Sequence, residues 1–408
     1  MLNASDFQAP AEISRWRNLA LGIGGLCSVI VLAACFFPEA RETALRAWLL
    51  GFMFSCGLGI GGLGILMLQY LTGGAWGVVI RRIVEACSRT VPVLAVLFIP
   101  IAVGVPYLYE WFHLHEEGKD AVILHRGWYL TQSGFIGRAV IYFVLWYIMQ
   151  RMLNGWSAKQ DQSETYEESA KWLGTPTAFS GPTLAIFVLL VSFATIDWTM
   201  TLDPHWFSTI WGFLYVAGWA LSCFSFAVVI LAYLSDKAPM NRILGKRHFH
   251  DIGKLMLALV MVWAYFNFSQ FLIIWSGNLP EETFWFLNRM KDGWGWIGLI
   301  LILFHFAFPY LVLLSRDVKR NAKYLAIMAG FILVLRVVDI FYHIAPSPSA
   351  IPGEHAPHFN AFWILYLLGP LGVGGIWLSF FFKELASRPL VPIKDPFLEN
   401  AIEHGKGH

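Results

Sequence analysis

Ten apolar runs, each long enough for the roughly 20 residues that carry a helix across a bilayer, constrain this chain of 408 residues more than any other feature. They fall at residues 19–37, 44–71, 91–109, 136–153, 182–202, 208–234, 252–275, 294–314, 322–342 and 361–382. A hydrocarbon layer offers no water to unpaired backbone groups, so such runs form helices. The expected fold is an all-α polytopic membrane protein with ten transmembrane helices. Composition agrees: 57% of residues are apolar and only 14% are charged, against about 25% charged in soluble proteins. Little chain lies outside the runs, so an independent soluble domain is not expected.

Lys and Arg residues divide unevenly between the two sides. One side carries 21 of the 29, among them Arg15, Arg81, Arg82, Arg89, Arg151, Lys246 and Arg388. The other carries 7, namely Arg41, Arg46, Lys119, Arg126, Arg138, Arg289 and Lys291, and Arg336 falls within the ninth span. By the positive-inside rule both termini are expected in the cytoplasm. The net charge of +2 then reflects topology and gives no reason to expect a nucleic-acid partner. Near the N-terminus Arg15, Arg17, an apolar stretch and "LAAC" (residues 32–35) mimic a lipoprotein signal. The run continues through Phe36 and Phe37, as a retained span does, and cleavage would leave the later helices in the same orientation. The five cysteines show no C-x-x-C or C-x-x-C-H pairing, so neither covalent haem nor an iron–sulfur cluster is expected on this chain.

An internal repeat organises the spans. The fifth ends "TIDWTMTLDP" and the ninth "VVDIFYHIAP", which share a β-branched residue, Asp, and Pro seven positions later: Asp197 to Pro204 and Asp339 to Pro346. Spans two and six both end in Tyr-Leu. Two four-helix bundles in parallel repeat are therefore expected, at 44–205 and 206–346, since an even number of spans preserves orientation. Residues 1–43 and 347–408 contribute two peripheral helices. Gly57, Gly61 and Gly64 share one face of span two and read as a close-packing surface. Pro92, Pro100 and Pro106 predict a bent third helix whose freed carbonyls need partners.

The ninth span contains Arg336, Asp339 and His343. On the insertion scale the two charges each cost about 3 kcal/mol, while some eleven Leu, Ile, Val and Phe residues return about 0.3 to 0.6 each. A balance near zero means that this helix turns its polar face to protein or water. Spacings of three and four residues stack the three side chains on one face, and Asp197, followed one turn later by Thr201, is expected in the equivalent place of the first bundle. His305 lies near the middle of span eight. Two readings fit: an ion pair that fixes packing, or part of a proton relay or quinol-deprotonating group. At the basic-poor side, "TLDPHWFSTIW" and "SQFLIIWSGNLPEE" place Asp203, His205, Trp206, Trp211, Gln270 and Trp275. Trp206, Trp211 and Trp275 read as interfacial anchors, which leaves the polar groups among them unexplained. His113, His115, His125, His355 and His358 match no metal-ligand spacing, so no metal site is expected.

Through "FHDIGKLMLALVMVWAY", "FNFSQFLIIWSGNLPEE" and "LRVVDIFYH", the chain resembles the NrfD-like, polysulfide-reductase-type membrane subunits. It is most similar to the smaller such subunit of alternative complex III, a bacterial quinol:cytochrome c oxidoreductase. The resemblance covers essentially the whole chain. It implies a multi-pass subunit of the bacterial inner membrane without a redox metal of its own, working in an oxidoreductase complex of the respiratory chain. The implied hetero-oligomer contains a larger paralogous NrfD-like subunit, an iron–sulfur protein, and multihaem and monohaem c-type cytochromes, all among lipids. It also implies a proton path, for which Asp197, Arg336, Asp339, His343 and His305 are the candidates. Asp203, His205 and Trp275 are the candidates for contact with a quinone or menaquinone. A secondary transporter with two parallel repeats, and a passive anchor for peripheral redox subunits, are the rival expectations. A transporter favours discontinuous helices at its site, whereas spans five and nine read as unbroken past their aspartates.

Overall fold

Prolines and short polar side chains set four of the ten spanning-helix starts and the breaks of α3. The computed structural model describes residues 7–118, 120–350 and 362–407, so His355, His358, Lys119 and the start of the tenth predicted span lie outside the described residues. Ten helices are long and apolar enough to cross a membrane: α1 (Glu12–Ala34), α2 (Pro38–Thr72), α3 (Ala75–Val103), α4 (Gln132–Asp161), α5 (Tyr166–Leu202), α6 (Trp211–Ser235), α7 (Lys246–Gly277), α8 (Trp294–Leu314), α9 (Ala322–Ile344) and α10 (Leu365–Leu385). No strand occurs among the described residues. Pro38 opens α2, and Thr131, Thr165 and Asn321 accept hydrogen bonds from first-turn amides of α4, α5 and α9. These partners satisfy donors that a helix start leaves open.

The third helix is bent as its prolines predict. It divides into Ala75–Ser88, Val91–Leu97 and Ile99–Val103, followed by Val105–Leu108, and each segment after the first carries Pro at its second position. Two carbonyls released at the breaks find side-chain donors. Trp48 Nε1 donates to Leu97 O at 2.9 Å, and His113 Nε2 lies 2.7 Å from Pro106 O. The structure corrects where this helix begins. It starts at Ala75, well before residue 91, because Arg81, Arg82 and Glu85 are buried in mutual ion pairs and so do not end it. Helix α9 continues past Asp339, as expected. In α5 the α-helix ends at Trp198, one residue after Asp197, and tightens into a 3₁₀ turn at Met200–Leu202.

Helices α2 to α5 pack as one group and α6 to α9 as a second, with α2 and α6 against each other between them. Helices α2 and α6 are the most enclosed, whereas α1, α7 and α8 show much of their apolar surface. The predicted packing role of the α2 glycines holds. A Cβ at Gly57 would lie 2.8 Å from the Trp219 ring, one at Gly61 2.7 Å from Trp219 O, and one at Gly64 2.7 Å from the Phe187 ring. Helix α10 lies against both α1 and α2, approaching each through glycine: Gly375 meets Gly24, and Gly369 meets Gly51 and the backbone of Ala47.

A Cβ at Gly369 would fall 2.0 Å from Ala47 O, whereas one at Gly374 would meet nothing within 4 Å. Gly369→Val is therefore expected to separate α10 from α2 and cost about 1–3 kcal/mol. Gly374→Val is expected to leave the thermal midpoint in detergent nearly unchanged.

Candidate functional site

Helix α9 brings Arg336, Asp339 and His343 to one buried face. Arg336 Nη1 donates to Asp339 Oδ2 at 2.5 Å, and its Nε donates to Ser222 Oγ of α6 at 3.3 Å. The guanidinium fits because α6 has glycine beneath it: a Cβ at Gly218 would stand 2.2 Å from Arg336 Nη2. From α7, Trp263 Nε1 donates to the same carboxylate oxygen at 3.3 Å. One turn beyond Asp339, His343 Nδ1 lies 3.3 Å from Tyr215 OH, and its ring packs 4.8 Å from Trp211.

His305 joins this group from α8. It sits in a π-helical stretch, Leu301–Ala307, with its ring centroid 3.9 Å from that of Trp263. Trp263 thus touches His305 with its ring and Asp339 with its N–H. Both His305 nitrogens are buried without a hydrogen-bond partner among the described residues, a state that costs about 1–3 kcal/mol for a polar group.

Asp197 occupies a different setting in the first bundle. Arg138 of α4 grips its carboxylate in a fork, Nε to Oδ2 at 2.8 Å and Nη2 to Oδ1 at 3.0 Å, and Tyr142 OH donates to Oδ2 at 2.8 Å. Thr201 Oγ1 donates to the Asp197 carbonyl at 2.5 Å. Arg138 also covers the Tyr129 ring, 3.6 Å from its centroid. Asp197 is fully buried, whereas Arg138, which grips it, is 19% exposed. In both bundles a buried Asp meets an Arg. The arginine comes from the same helix in the second bundle and from a neighbouring helix in the first.

The C-terminal carbonyls of α9 face two further arginines. Arg289 Nη2 donates to His343 O at 2.8 Å and its Nε to Tyr342 O at 3.1 Å; Arg46 Nη1 donates to Ala345 O at 3.1 Å and Ser347 O at 2.8 Å. Cations there satisfy open acceptors and oppose the negative end of the helix dipole. Asp203 belongs to this cap. Arg289 Nη2 lies 3.3 Å from its Oδ2, and Ser347 Oγ donates to the same oxygen at 2.9 Å.

Asp203, His205 and Trp275 are not brought together. Asp203 is buried in the α9 cap, whereas His205 is exposed with Nε2 2.7 Å from Asp120 Oδ2. Trp275 is 66% exposed and packs on Phe271. Trp206 and Trp211 are not interfacial anchors. Both are buried, with Trp206 stacked on Trp285 at 4.7 Å. Near His205 the Asp120 carboxyl is held below its ordinary value by the Ile123 amide and by His205, and burial raises Glu110 from its ordinary value. Among the described residues no group of His, Cys, Asp and Glu side chains is arranged to hold a metal ion.

The chain matches no protein-family model and no curated protein.

Arg138, Tyr142, Arg289, Arg46 and Trp263 escaped the sequence reading. Arg46 and Arg138 each lie two residues inside a predicted apolar run, and that position marks an enclosed charge better than a loop charge. Tyr142 follows Arg138 by one turn. Nothing local distinguishes Trp263 from the other tryptophans.

Arg289→Ala is expected to lower stability by about 3–5 kcal/mol, because it leaves Asp203 buried without its countercharge and opens two α9 carbonyls. His205→Ala, which removes one partner of an exposed pair, is expected to change stability by less than about 1 kcal/mol. Thermal unfolding of both variants in one detergent compares them directly.

Proposed function

We propose that this protein is an integral subunit of a quinol-oxidising respiratory complex of the bacterial inner membrane, with both termini in the cytoplasm. Its contribution is a proton-transfer path. Quinol oxidation releases two protons with two electrons, so such a complex needs buried acid–base groups and an exit for protons. The electrons leave through partners that carry the iron–sulfur clusters and c-type haems, and the larger paralogous subunit is their neighbour in the membrane.

The observation that carries this reading is the company kept by Asp339. One ion pair requires only Arg336, yet His305 and His343 are buried beside the same carboxylate, and the His305 nitrogens have no hydrogen-bond partner among the described residues. Buried polar groups in that state are commonly served by ordered water, the medium of proton relays. In the first bundle, Asp197 with Arg138 and Tyr142 provides a second station closer to the surface. The carboxylates and imidazole of Glu110, Asp120 and His205 stand at the basic-poor side. A quinone contact through Asp203 loses support, since that carboxylate is committed to Arg289 and Ser347.

A transporter with two parallel repeats fits less well. Its broken helices would occupy corresponding positions of the repeats, but α3 is interrupted by proline while its counterpart α7 is continuous. The passive anchor draws support from Asp339 itself, which Arg336 and Trp263 already satisfy.

Two measurements separate these readings. Purification from native membranes under mild detergent is expected to bring haem-containing partners; isolation without haem or quinone sinks the respiratory proposal. In the assembled complex, Asp339→Asn is expected to slow quinol-dependent proton release by roughly tenfold or more while the subunits stay associated. Loss of assembly, with unchanged protons per quinol in the surviving complexes, favours the anchor.

A further inference from the structure

Away from these stations, the basic-rich side holds a second polar network that the proposed function does not use. Arg82 donates to Glu85 Oε2 at 2.7 Å and pairs with Asp161, while Arg81 pairs with Asp395. Ser157 Oγ donates to Glu85 Oε1 at 2.6 Å. Beside this network, a cavity of about 460 Å³ opens between the break at Arg89 within α3, helix α4 and the end of α10. Arg89, Arg151, Arg388, Gln150, Asn154 and Glu384 supply its polar lining.

The charges here do not cancel. Arg81, Arg82, Arg89, Arg151 and Arg388 face Glu85, Asp161, Glu384 and Asp395, which leaves one positive charge in excess. The excess lies at the cavity. Arg89 is committed to Glu384, with Nε 2.8 Å from Oε2. Arg388 Nη2 donates to Asn154 O at 3.2 Å, but its Nη1 makes no hydrogen bond, standing 3.5 Å from Glu85, which Arg82 and Ser157 already serve. Arg151 is exposed at the rim and has no partner among the described residues.

The cavity ends an apolar path. Along α4, Val140, Val144 and Ile148 are exposed at four-residue spacing below Arg151. From Arg151 back to Val140 the helix rises about 16 Å, roughly half the thickness of a hydrocarbon core. An exposed apolar stripe is ordinary for a helix facing lipid. Its continuation into a cavity with one uncompensated cation is not, and the pair matches an amphiphile with a monoanionic head and acyl tails.

We propose that this cavity binds an anionic phospholipid, with the phosphodiester between Arg151 and Arg388 and an acyl chain along α4. Basic clefts between membrane helices on the cytoplasmic side favour such head groups. The bound lipid would bridge the break in α3, the second half of α4 and the end of α10.

The test uses the protein in its native assembly, delipidated in detergent and titrated with dioleoylphosphatidylglycerol or dioleoylphosphatidylethanolamine, with bound lipid counted by native mass spectrometry. Phosphatidylglycerol is expected to bind at least roughly fivefold more tightly than phosphatidylethanolamine. Arg151→Gln is expected to weaken phosphatidylglycerol by about fivefold, and Arg151→Lys to restore most of the affinity. Millimolar inorganic phosphate is expected not to displace the lipid. Equal binding of the two lipids by the unaltered protein overturns the proposal whatever the variants do. Unchanged affinity in Arg151→Gln overturns it as well, and displacement by inorganic phosphate assigns the cavity to a free anion.

Discussion

A guanidinium taken out of water without a partner costs several kcal/mol, and Arg46, Arg81, Arg289 and Arg336 are each at most 1% exposed. The compensation repeatedly crosses between elements. Arg46 reaches from α2 to the end of α9, and Arg289 joins that end to the turn after α5. Arg81 ties α3 to the C-terminal segment through Asp395. Lipid-facing helices lack a strong hydrophobic drive to choose among neighbours. Directional contacts of this kind, with the glycine approaches of α2 and α10, therefore specify which helix stands beside which.

The two bundles answer the same problem in different ways. In the first, the fork of Arg138 and the Tyr142 hydroxyl surround Asp197 from α4, near the surface. In the second, Arg336 meets Asp339 within one helix, and the space above and below is taken by His343, Trp263 and His305. An ion pair between residues three apart leaves neighbouring helices free to contribute other groups. The second bundle uses that freedom for the His305 imidazole from the π-helical stretch of α8 and the Trp263 ring from α7, while His343 comes from α9 itself. That difference is why the second bundle is the stronger candidate for proton transfer.

The basic-rich side shows that a charge count says nothing about a charge's surroundings. Arg81 and Arg82 contribute to the excess of basic residues there, yet they lie inside the protein with Glu85 and Asp161. What the count misreads is the boundary of α3, since a helix with paired charges extends beyond its apolar run.

Run length and composition determined the ten spans, their alternation and the helical class, because the hydrocarbon layer requires internally satisfied backbone over a set distance. The i, i+3 and i+7 spacing of Arg336, Asp339 and His343 determined that they share a face, and the energy balance of span nine determined that this face turns inward. Tertiary structure alone decided the partners. Nothing local in the sequence says that Asp197 meets Arg138 from 59 positions away, that Trp263 bridges Asp339 and His305, or that Asp203 serves the α9 cap while His205 turns to solvent. Periodicity describes one helix about its own axis, whereas partners depend on the rotation and depth of two helices relative to each other. Those are set by glycine approaches and charge compensation distributed over the whole chain.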